Sequence, residues 1–171
     1  MILGMTTATY TLIHVLISLA GIGSGLIVLF GLLTGKRLDG WTALFLATTV
    51  LTSVTGFGFP TDHLLPSQII GTISLVVLAI AILARYSFHL TGAWRGTYVI
   101  TAAIALYFNV FVAVVQSFLK FPSLNALAPT QKEPPFLVTQ LIVMAIFIVL
   151  TIFAVKRFRE EPVRSERARA A

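Results

Sequence analysis

The stretch TLIHVLISLAGIGSGLIVLFGLL, residues 11–33, runs without an Asp, Glu, Lys or Arg, and Lys36 and Arg37 follow it closely. About 20 apolar residues in helical form cross the roughly 30 Å hydrocarbon layer of a bilayer, so this stretch reads as a transmembrane helix. It does not read as a signal peptide. Nothing positive precedes it except the amino terminus, it is longer than an h-region, and its basic residues come after it. Met5 is an alternative start to Met1, since the residues MILG contribute no recognisable element.

Four further runs follow the same pattern, at about 41–59, 67–88, 97–119 and 136–155. Pro60 stops the second, and Pro66 with Ser67 supplies a start signal for the third. Arg85 is the single charge within these limits and is expected to snorkel toward the headgroups beside Tyr86 and Phe88. The runs are continuous and long, whereas strands of a membrane barrel would be short and alternating. The expected fold is an all-α integral membrane five-helix bundle. Residues 1–157 form a single transmembrane domain and 158–171 a basic cytoplasmic tail.

Composition agrees with that reading. The chain has 171 residues, 57% hydrophobic and 11% charged, with a mean hydropathy of +0.96. A soluble domain carries about a quarter of its residues charged and could not hide this much apolar surface. There is no cysteine, which excludes disulfides, thiol nucleophiles, iron–sulfur ligation and thiolate zinc sites. The net charge of +6 does not point to nucleic acid, because the basic residues lie beside apolar spans, where membrane topology accounts for them.

Lys36, Arg37, Arg85, Arg95 and the tail residues Lys156, Arg157, Arg159, Arg164, Arg167 and Arg169 share one side of a five-span chain, against Lys120 and Lys132 on the other. The positive-inside rule then puts the amino terminus outside and the tail in the cytoplasm of a bacterial inner membrane. Trp41, Tyr86, Trp94 and Tyr98 fall at the cytoplasmic interface, where an aromatic belt is expected.

Gly21 and Gly25 share one helix face and allow close approach of another backbone, within the chain in preference to a homodimer seam. Thr48, Thr52 and Thr55 form a hydroxyl stripe on the second span, where threonine usually bonds its own backbone. Strongly polar side chains gather in the outer half: His14, Thr52, Thr55, Asn109, Gln116 and Gln140. They are read either as interhelical glue or as an outward-facing polar pocket, with His14 as the ionisable member inside a span. No cofactor is expected. Haem or a metal at His14 and His63, with Asp62, lacks any supporting ligand spacing, and no phosphate loop, dinucleotide fingerprint or nucleophile elbow occurs.

The segment FGFPTDHLLPSQIIGTISLVVLAIAILARY (residues 57–86), the element Phe57, Phe59 and Pro60, the loop APTQKEPPF and the basic end KRFR resemble a group of small polytopic bacterial inner-membrane proteins, uncharacterised in activity and mostly proteobacterial. The segment TDHLLPSQ is less aromatic than that group's pattern. The resemblance implies an inner-membrane location and no particular chemistry. The functional expectation is a non-enzymatic accessory subunit, or a binder of an apolar or lipid-like ligand in the outer leaflet. The alternatives are a small-molecule or ion permease acting as an oligomer, and a membrane redox protein holding haem or quinone near His14. The expected partners are the lipid bilayer and a homo-oligomer or larger membrane complex.

Overall fold

A computed structural model describes residues 2, 4–59 and 66–158. The described residues form α1 (Thr7–Leu33), α2 (Asp39–Gly56), α3 (Pro66–Ile82), a π-helical turn (Leu83–Ser87), α4 (Ala93–Lys120), the short α5 (Pro122–Leu127) and α6 (Pro134–Arg157). Four segments are long and apolar enough to cross a membrane: Thr7–Leu33, Pro66–Ser87, Ala93–Lys120 and Pro134–Arg157. Their outward side chains are Leu, Ile, Val and Phe, such as Leu16, Phe30, Ile142 and Phe153. A soluble bundle would present polar residues there, so this surface calls for hydrocarbon. The chain is a membrane protein.

The helix ends reflect local chemistry. Thr6 caps α1 by accepting the Thr9 N–H. At the other end Gly35 adopts φ +71°, and the amides of Gly35 and Lys36 return to the carbonyls of Leu32 and Gly31 in a Schellman closure. The helix α2, 18 residues long, is the most polar of the long helices. It ends at Gly56, ahead of the stop expected at Pro60, because the amides of Phe57 and Gly58 reach back three residues and close the last turn. Pro60, Asp62, His63 and residues 159–171 lie outside the described residues. The segment α5 is a helix where the proline-rich sequence suggests only a loop. Pro122 stands at its first position, and Asn125 ties it to the end of α4 by donating to the Phe118 carbonyl at 3.2 Å.

Every other long helix packs on α4. Its inner face is built from Val99, Ala102, Ala105, Leu106 and Asn109, and small residues there let neighbours approach. On α1, Gly21 lies against Thr48, Thr49 and Asn109, and Gly25 against Leu106 and Phe45. Both glycines therefore face α2 and α4 within the chain. A Cβ at Gly25 would come within 2.5 Å of Leu106 and 2.8 Å of Phe45, whereas Gly23 faces open space.

Two corrections concern the basic end of the bundle. Arg85 does not snorkel. It is carried inward by the π-turn, which adds a residue to the helix and rotates the side chains beyond it. Tyr98 is fully buried and so leaves the aromatic belt, while Trp41, Tyr86 and Trp94 stay partly exposed. Phe88 and Trp94 stack flat at 3.9 Å.

Gly25→Ala is expected to destabilise the bundle by about 1–2 kcal/mol through overpacking. Gly23→Ala should be neutral or stabilising by up to about 1 kcal/mol through helix propensity. Thermal unfolding of both variants in detergent would check the pair.

Candidate functional site

Of the polar residues singled out in the sequence, His14 with Thr55, Asn109 and Gln140 each make a contact at a different pair of helices. His14 and Thr55 meet between α1 and α2, with Nδ1 at 2.7 Å from the threonine Oγ1. That hydroxyl directs its own proton to the Leu51 carbonyl, also at 2.7 Å. The imidazole Nδ1 is therefore the donor, and Nε2 is the acceptor nitrogen. Phe59 meets the His14 ring edge-on at 5.3 Å, and Tyr10 donates to the Thr55 carbonyl at 2.7 Å. Asn109 lies deeper, between α4 and α2, and donates to Thr49 Oγ1 at 3.2 Å.

Gln140 lies at a third interface, between α6 and α4. Its Nε2 donates to the Phe111 carbonyl at 3.2 Å, and its Oε1 is buried without a partner among the described residues. Gln116 is exposed. Thr52 Oγ1 is buried and likewise unpartnered among the described residues. Similar depth along the helices suggests convergence. Direction around each helix axis disperses the group, since α1, α4 and α6 turn these residues toward different neighbours.

At the basic end, Asp39, Thr42, Arg85 and Tyr98 form a cluster that the sequence does not announce. Arg85 donates to the Asp39 carboxylate, and its guanidinium lies over the rings of Tyr98 at 5.2 Å and Tyr86 at 5.8 Å. The Tyr98 hydroxyl reaches Thr42 at 3.5 Å. The arginine side chain is 4% exposed and the aspartate 74%. The two charges are thus unequal in their need. Asp39 is solvated without its partner, while Arg85 relies on Asp39 and the two ring faces.

Among the described residues, a groove between α4 and α6 has room for a ligand. Its volume is about 550 Å³, in the range of small-molecule sites. One wall runs along α4 from Ile100 to Tyr107, and the other along α6 from Met144 to Lys156. The groove exists because α6 buries only a narrow stripe, Phe136, Gln140, Phe147 and Ala154, and among the described residues leans chiefly on α4 and α1. Lys156 marks the membrane-surface end, and Tyr107 and Met144 mark the end at mid-helix. Thr151 spends its hydroxyl proton on the Phe147 carbonyl of its own helix at 2.6 Å. The lining is otherwise almost wholly apolar. No spacing pattern could have announced the groove, because its walls come from helices far apart in the chain.

Asp39→Ala is expected to cost about 2 kcal/mol of stability, since it strands a buried cation. Arg85→Met should cost less than about 1 kcal/mol, because the exposed carboxylate is solvated and methionine fills the space. Once Arg85 is Met, removing Asp39 should cost only its helix-dipole share of about 0.5 kcal/mol. A double-mutant cycle by denaturant unfolding in micelles measures all three values.

Comparison of the chain with protein-family models, with curated proteins and with solved structures finds no match.

Proposed function

We propose that the chain crosses a bacterial cytoplasmic membrane five times, amino terminus outside and tail inside, and acts as a non-enzymatic accessory protein that holds an apolar, lipid-like molecule. The α4/α6 groove carries this reading: it is apolar, large enough for a ligand, and open sideways between two helices whose outer faces are themselves apolar. A molecule could enter it from the hydrocarbon without passing through water. Its one internal hydroxyl from threonine is committed to the backbone, which suits a site that holds its occupant without transforming it.

Five crossings are supported by the path of α2. Its 18 residues rise about 27 Å at 1.5 Å each, close to the thickness of the hydrocarbon layer. Its start joins Arg85 and Tyr98 at the basic end, and its finish joins Tyr10 and His14 at the opposite end. It thus runs the length of its neighbours, with its polar side chains turned inward or bonded to its own backbone. The orientation rests on the ten basic residues at one end against two at the other. With that orientation the groove opens to the inner leaflet, where the sequence alone leads one to expect the outer.

The absence of cysteine makes topology directly readable. Single cysteines at positions 36 and 95 should resist a membrane-impermeant maleimide in intact cells, and one at 132 should react. Equal labelling of 36 and 132 would refute the second crossing. For the groove, native mass spectrometry of gently extracted protein should find a retained small molecule that is lost in Met144→Trp. A mass identical to the bare chain in both proteins would overturn the ligand-binding reading.

A further inference from the structure

Among the described residues, two consecutive non-glycine positions take positive φ: His89 at +50° and Leu90 at +59°. Left-handed backbone sets Cβ against the following carbonyl, so a bulky residue adopts it only under constraint. Both come just after the π-turn Leu83–Ser87. The amides of Phe88 and Leu90 reach the Leu83 carbonyl at 2.9 Å and the Ala84 carbonyl at 3.0 Å, farther back along the chain than an α-helix allows. Leu90 is buried in the core, and Arg95 donates to its carbonyl at 3.2 Å. The strained segment is thus held from several directions at once.

An arginine near a helix end has two ways to keep its charge out of hydrocarbon. It can snorkel to headgroup phosphate, or it can pair inside the protein. Regular α-helix through residues 83–90 would shift the register by one residue, turn Arg85 by about 100° and leave His89 and Leu90 unstrained. The strain therefore accompanies only the form in which Arg85 points inward, where Asp39 and the rings of Tyr86 and Tyr98 offset it. The Arg85 side chain is 4% exposed and that of Asp39 74%, so the surroundings act on the pair through its carboxylate. Lys36 and Arg37 come just before Asp39 in the chain and draw anionic phosphate to this end.

We propose that the π-turn and Asp39 form a two-state latch on Arg85, closed in a neutral bilayer and opened by anionic phospholipid. In the open state a lipid phosphate takes the guanidinium in place of Asp39, and residues 83–90 relax to regular helix. The sequence-based expectation of a snorkelling Arg85 then describes the open state, and the inward arginine the closed one. The groove between α4 and α6 has no part in this.

The test uses the full chain carrying isotope-labelled arginine, in bicelles of phosphatidylcholine with and without phosphatidylglycerol at equal ionic strength. The Arg85 Nε–H signal is identified by its loss in Arg85→Met, and its exchange with water is measured. Phosphatidylglycerol should speed that exchange about tenfold or more, as expected when an enclosed group opens to the surface. Asp39→Asn should give the fast exchange in both lipids. Core amides of Leu46, Thr49 and Leu106 should not change.

Equal Arg85 exchange in the two lipids overturns the latch, and so does slow exchange in Asp39→Asn. Acceleration of the core amides along with Arg85 means that the lipid loosens the whole bundle, and again the latch falls. Inorganic phosphate added to the neutral bicelles should leave Arg85 slow; release by it overturns the assignment to lipid. His89→Gly keeps the test decisive if Asp39→Asn does not fold. Glycine removes the left-handed penalty at an exposed position and disfavours regular helix, so both effects favour the closed form. Arg85 in this variant should exchange more slowly than in the native chain in anionic bicelles. Equal or faster exchange marks a merely loose loop and overturns the proposal.

Discussion

Hydrocarbon neither donates nor accepts hydrogen bonds, and most of this structure derives from that single property. Several threonine and serine hydroxyls in the spans return to carbonyls four residues back, as Ser18, Ser24, Ser53, Thr101 and Ser117 do. Such bonds remove polarity from the helix surface without joining one helix to another. Among the polar side chains that cross between helices, three act as rivets at different helix pairs: His14 to Thr55, Asn109 to Thr49, Gln140 to the Phe111 backbone. Each contributes a fraction of a kcal/mol to about 2 kcal/mol, so register is their main effect.

The same constraint governs the one buried charge among the described residues. A guanidinium inside the basic end would be untenable alone, and the π-turn that carries Arg85 inward is tolerable because Asp39 and the Tyr86 and Tyr98 rings meet it there. This cluster joins the start of α2 to the end of the third span and the start of α4. At the far end Tyr10, His14, Thr55 and Phe59 join α1 to the finish of α2. The α2 helix, the most polar of the long helices, is therefore held at both ends. Between them the close contacts of Gly21 and Gly25 let it lie tight against α1 and α4.

Close packing on one side of α4 leaves its other side less covered. The small residues of α4 and the glycines of α1 draw α1, α2 and α4 together, while α6 touches the bundle along a thin stripe. The groove is the space that results.

The choice of solvent and the positions of the helices were legible in the residues alone. Uncharged apolar runs long enough to cross a bilayer placed the helices to within a few residues, and the glycine spacing on α1 identified a packing face. These properties are local, since span length and periodicity need no neighbour. Other features came into being only with packing. Arg85 beside an apolar run reads as a snorkelling residue until Asp39, 46 positions away, is brought alongside. The outer polar residues share a depth, which the sequence shows, but not a direction, which depends on the helix each one faces. The groove needs α4 and α6 side by side, two helices with a loop and a short helix between them. Depth along a membrane helix is written in residue number; orientation about its axis and the gaps between helices arise only when all the helices pack at once.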